Sequence, residues 1–124
     1  MPLGGKLQVE DIYGRGVALE EIADPGTGAA IPVSRSAHIQ IVTGGGAETN
    51  TLAIPTFVGQ RLILSMKTDG GGTRTITVAS AFNASGNTTI ALDDAGDSIC
   101  LEASLGSAGV FKWNQAWTNG PTLG

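Results

Sequence analysis

The 124-residue chain holds one histidine, His38, and one cysteine, Cys100. Acid–base work at His38 needs a nucleophile to activate or an acid to orient the ring. Alternation over residues 37–43 puts His38 and Gln40 on the strand face opposite Ile39 and Ile41. Nothing adjacent in sequence supplies a partner, so His38 reads as a surface histidine. Cys100 shares its register with Ser98 and Glu102. A reactive thiolate needs an electropositive setting, and with Glu102 two positions away Cys100 reads as an inert thiol. Asp93, Asp94 and Asp97 offer oxygens for calcium. Asp-Asp-Ala-Gly-Asp lacks the alternate ligands and distant glutamate of an EF-type loop, so these residues read as turn caps. The glycine triplets at 44–46 and 70–72 are not phosphate loops, because no lysine or helix follows; they read as flexible hairpin tips. One cysteine excludes an internal disulfide and a multi-cysteine zinc site. No catalytic residue, metal or cofactor is expected, and the chain does not read as an enzyme.

Trp113 and Trp117 are two of only six aromatic residues. They flank Asn114-Gln115, which reads as the turn of a last hairpin, and would face each other across it. Tryptophans so placed either stack on sugar rings or pack a barrel end or subunit interface; packing is the preferred reading. Asn83-Ala84-Ser85 and Asn87-Thr88-Thr89 match the glycosylation sequon, and without a secretion signal they read as turns.

The elements that must position these groups are strands. Period-two alternation marks residues 37–43, 61–67, 73–79, 88–92 and 98–105, with a closing pair at 110–113 and 116–118. Turn clusters separate them. Asp69-Gly70-Gly71-Gly72 reads as a hairpin between two strong strands. Residues 83–87 and 93–97 are further turns. No internal repeat is apparent. The expected fold is all-β, a small antiparallel β-sandwich or barrel-like body over residues 37–119.

Residues 1–36 look different. They carry Pro2, Pro25 and Pro32, and five acids against three bases. Residues 17–23 suit two helical turns, which are marginal alone. The segment reads as an extended arm, with Leu3, Leu7, Val9, Ile12 and Tyr13 as contacts to a shell or a neighbouring subunit. Apolar residues in an arm without its own core need a partner surface. Residues 120–124 read as a frayed tail.

Composition narrows the partners. Net charge is −4, so nothing global favours nucleic acid. No apolar run approaches the ~18–20 residues of a membrane helix, and the opening residues lack the apolar stretch of a signal peptide. Only 15% of residues are charged, against a usual ~25%. Exposed strands are normally guarded by charge, so part of the threonine-rich polar face is expected to be covered by other copies.

The order Gly59-Gln60-Arg61-Leu62-Ile63-Leu64, Asp69-Gly70-Gly71-Gly72-Thr73, Thr75-Ile76-Thr77-Val78, Thr88-Thr89-Ile90, Ala95-Gly96-Asp97-Ser98 and a final strand with Trp113 and Ala116-Trp117 resembles small β domains of tailed bacteriophages. These are the head-decoration (cement) and head-fibre proteins, with a similarity to pieces of tail fibres. The resemblance spans roughly residues 37–119. It implies a homotrimeric body and no catalytic residues. With the short chain and the arm, it implies a capsid decoration protein on the outer surface of the virion head. Its partner there is the major capsid protein. A glycan- or receptor-binding module of a fibre is the alternative.

Overall fold

The computed structural model describes residues 19–124. Leu3, Leu7, Val9, Ile12 and Tyr13 lie outside the described residues. The strands are β1 (Glu20–Ala23), β2 (Ala37–Val42), β3 (Glu48–Leu52), β4 (Arg61–Thr68), β5 (Arg74–Val78), β6 (Thr89–Leu92), β7 (Ser98–Leu105), β8 (Phe111–Asn119) and β9 (Thr122–Leu123). They form a five-stranded sheet ordered β1-β2-β4-β7-β8 and a four-stranded sheet ordered β3-β5-β6-β9. The two sheets pack together as a small all-β sandwich.

Both sheets are mixed rather than antiparallel. β1, β2 and β4 run parallel, as do β3 and β5. The cause is the connections. β2 lies in one sheet and β3 in the other, and the same holds for β4 and β5. The glycine triplets are therefore not hairpin tips. Each carries the chain across the sandwich, and the resulting strand–turn–strand arches stack on one another.

The stack is an internal repeat. Val42 pairs with Thr68 and Glu48 with Arg74, both 26 residues apart, and the glycine triplets share that offset. A first arch precedes these two. β1 leads through Asp24-Pro25-Gly26 to residues 28–31, which run along β3. There Gly28 N–H donates to the Thr49 carbonyl at 2.7 Å and Ile31 N–H to the Thr51 carbonyl at 2.8 Å. The repeat is hidden in the sequence because β3 holds Asn50 inward, beside Leu52. A polar residue there breaks the alternation that identifies a strand.

Stacking brings the crossing turns into contact. Gly72 N–H donates to the Gly44 carbonyl at 2.8 Å. A Cβ on Gly72 would overlap the backbone oxygen of Gly46, and one on Gly70 the oxygen of Thr43.

Four expectations about segments change. Residues 20–36 belong to the body rather than to an arm: β1 pairs with β2, and Ile31 is buried in the core. Residues 20–23 are strand, not helix, because this edge gives their backbone a ladder that two isolated helical turns cannot match. Residues 120–124 are not frayed. β9 pairs with β6, and the Gly124 carbonyl accepts from Thr88 and Thr89 N–H at 2.7 and 2.8 Å. Finally, β8 is one continuous strand with no turn at Asn114-Gln115. Leu101 pairs with Gln115 but Cys100 with Trp117. Ala116 is thus an extra residue, a bulge that reverses which side chains face inward.

The core is formed by alternate residues. Ile39, Ile41, Leu62, Leu64, Met66, Ile99 and Leu101 of the larger sheet meet Leu52, Ile76, Val78, Ile90 and Leu92 of the smaller. Phe82 and Trp113 complete it, and Trp113 Nε1 donates to the Ala53 carbonyl at 2.9 Å. Full burial of each such side chain contributes roughly 1.5–3 kcal/mol.

One cation sits among them. Arg74 takes an inward position on β5, in line with Ile76 and Val78, and its side chain is 1% exposed. Its guanidinium donates to both Asp24 carboxylate oxygens at 2.8 and 2.9 Å, and through Nε and Nη2 to Glu48 Oε1 at 2.9 and 2.7 Å. It also donates to Asn50 Oδ1 at 2.7 Å and the Val42 carbonyl at 3.2 Å. Burial alone would push the Asp24 carboxyl up. Hydrogen bonds from Arg74 and from the N–H groups of Val42 and Gly26 outweigh it and hold the group below its ordinary value. Glu48 is held down by Gly44 N–H and by Arg74. Burial disfavours the charged Arg74, but the hydrogen bonds it donates to both carboxylates outweigh this and raise its pKa.

Two outcomes follow from this fold. Gly72→Ala is expected to destabilise by about 1–3 kcal/mol through overpacking. Gly46→Ala, whose Cβ meets nothing within 4 Å, is tolerated; paired urea melts compare them. Carboxylates with depressed folded pKa values give stability that is present above their unfolded pKa and lost as pH falls through the folded value. The contribution of these two carboxylates to the unfolding free energy is therefore level from pH 7 to 5 and falls below about pH 4, and Asp24→Asn flattens that fall in melts at stepped pH.

Candidate functional site

The outer face of the larger sheet gathers most of the chemically capable residues. Register places Glu21, His38, Ile63, Cys100 and Trp117 side by side across all five strands. Ala23, Gln40, Ser65, Ser98 and Asn119 form the next row. His38 has the partner that sequence neighbours did not supply: its Nε2 lies 2.7 Å from Ser65 Oγ. Strand order, invisible in the alternation, brings them together. Glu21 faces His38 in register, but its Oε1 accepts from Gln40 Nε2 at 2.8 Å. Among the described residues the Ser65–His38 pair therefore has no orienting acid, and the strand N–H groups around it serve the ladder rather than an oxyanion site.

Among the described residues no three His, Cys, Asp or Glu side chains group to hold an ion. Asp97 Oδ2 instead accepts from Asp93 and Asp94 N–H at 2.9 and 3.1 Å, which caps the turn. Among the same residues no helix is long and apolar enough to cross a membrane.

The two tryptophans part company. The bulge at Ala116 sends Trp113 into the core at 1% exposure and leaves Trp117 outward at 45%. Cys100 shares the register of this face as well, yet it is buried, with Ile63 and Trp117 as its cross-strand neighbours. Burial pushes its thiol up; Arg61 pulls it down and Glu102 pushes it up by smaller amounts.

Two further surfaces stand out. The outer face of the smaller sheet carries Thr49, Thr75, Ala91 and Thr122 in one row and Thr51, Thr77 and Thr89 in the next. Neither row contains a charge. The end of the sandwich opposite the arch turns is apolar. Ile54, Phe57, Val58, Leu105 and Val110 are five of the seven exposed large apolar side chains among the described residues. Gly59 N–H donates to the Ala103 carbonyl at 2.9 Å, which ties the loop that carries Val58 to the end of β7. Ile54 and Val110 line one open cavity of about 460 Å³. Alternation misses this patch because it lies in loops. Its signal in sequence is Phe57-Val58 and Val110 standing among glycines and small polar residues. Clustered exposed apolar side chains of this kind mark interaction sites.

No protein-family model matches the chain, and no curated protein matches it.

The covered thiol gives a direct check. Cys100 is expected to react with a maleimide far more slowly in the native protein than in urea. Trp117→Ala, by uncovering it, raises the native rate; an unchanged rate would show that Trp117 is not the cover.

Proposed function

We propose that the protein is a structural virion component that acts by attachment, a capsid decoration protein. On this reading it binds the outer surface of an assembled phage head as a homotrimer. The observation that carries the reading is the apolar loop end, whose loops expose Ile54, Phe57, Val58, Leu105 and Val110, with Ile54 and Val110 lining one cavity. Such a patch is costly to leave in water and is suited to docking on the major capsid protein. The uncharged threonine face supplies a surface on which copies can pack without desolvating ions. Residues 1–18 add Leu3, Leu7, Val9, Ile12 and Tyr13 as further contacts.

Stabilisation then follows from mass action. A ligand that binds the intact shell and not its dissociated parts stabilises the shell by its binding free energy. Three linked contacts raise effective concentration and slow release.

A second reading is a glycan-binding module of a fibre or tail protein, favoured by Trp117, which presents an aromatic face on an open sheet.

Light scattering is expected to give three times the 12.5 kDa chain mass, and the protein is expected to co-sediment with isolated heads. Val58→Asp combined with Leu105→Asp, both at exposed positions, keeps the circular dichroism of the parent and abolishes co-sedimentation. Undiminished co-sedimentation of that variant would sink the docking role of the loop end.

A further inference from the structure

An open cleft of about 540 Å³ runs beside β8, lined by Phe82, Asn83, Ser85, Lys112, Asn114 and Gln115. Its volume lies within the ~300–1,000 Å³ range of small-ligand sites. The walls are held by amide bonds. Asn83 Nδ2 donates to Asn87 Oδ1 at 2.8 Å and to Gln115 Oε1 at 3.0 Å, while Asn83 Oδ1 accepts from Asn87 N–H at 3.0 Å. Gln115 N–H donates to the Phe82 carbonyl at 2.8 Å and ties the turn to β8. Asn114 Nδ2 donates to Ser104 Oγ at 2.7 Å and to the Glu102 carbonyl at 3.2 Å.

These bonds occupy both ends of the Asn83 amide but only one end of the Asn114 and Gln115 amides. Among the described residues, Gln115 Nε2 keeps its donors, Asn114 Oδ1 its acceptor sites and Ser85 its hydroxyl. Lys112 makes no ion pair among those residues, whereas Arg35, Arg61 and Arg74 each have an acidic partner. The cleft therefore presents a fixed donor, a fixed acceptor, a hydroxyl and one cation. Hydroxyls that both donate and accept match the first three, and a single carboxylate matches the fourth.

We propose that this cleft beside β8 binds a carboxylated sugar unit, with Lys112 on the carboxylate and Asn114, Gln115 and Ser85 on the ring hydroxyls. The proposal rests on the second reading above and gives it a place distinct from Trp117.

The test is titration of the intact protein with glucuronic acid, glucose and sodium acetate, read by backbone amide shifts. Glucuronic acid is expected to shift Lys112, Asn114 and Gln115 and to bind more tightly than glucose or acetate. Lys112→Gln weakens it roughly tenfold, the loss expected for one charged hydrogen bond. Lys112→Arg restores it, and Trp117→Ala leaves it unchanged. No shift with glucuronic acid, glucose binding as tightly, or acetate binding as tightly overturns the proposal. Glucuronic acid binding that Trp117→Ala abolishes and Lys112→Gln spares also overturns it, while leaving glycan binding in place.

Discussion

Arg74 sets the terms for the rest of the fold. A guanidinium at an inward strand position costs several kcal/mol unless its charge and its donors are met. Here they are met by residues from every arch: Asp24 after the first strand, Val42, Glu48 and Asn50 from the second arch, and Arg74 itself from the third. One side chain thus fixes how the arches stand over one another and how the two sheets are joined at their crossing end. Apolar packing alone tolerates small slips. A bidentate pair with further fixed acceptors does not.

The same constraint explains the glycines. The chain crosses between sheets at residues 24–27, 43–47, 69–73, 93–97 and 120–121 at the arch-turn end, and returns at 32–36 and 53–60 at the opposite end. Crossings so close leave no room for side chains between neighbouring backbones, as Gly70 and Gly72 illustrate. The opposite end has no such crowding. Its loops carry the exposed apolar residues, so the sandwich has a polar, tightly tied end and an apolar, open one.

Much of this was legible in the sequence, and the rest fails for identifiable reasons. Strands with apolar inward faces, such as Ile39 and Ile41 or Leu62 and Leu64, declare themselves. β3 does not, because Glu48 and Asn50 serve the buried arginine and disguise the pattern. Pairing direction is absent from alternation altogether, so triplets that look like hairpin tips turn out to be crossings. The bulge at Ala116 likewise cannot be read from spacing, and it alone decides that Trp117 is outside while Trp113 is inside. For the candidate surfaces, the threonine rows were foreshadowed by composition. The apolar end and the Ser65–His38 pair depend on which strands become neighbours.

The 26-residue offset between the second and third arch turns has a consequence for how such a protein can change size. One added unit contributes one strand to each sheet, one crossing turn and one more layer of core, without disturbing the layers already present. Growth by tandem duplication is therefore stepwise and self-templating. Insertions of other lengths would have to be absorbed in the loops of the open end.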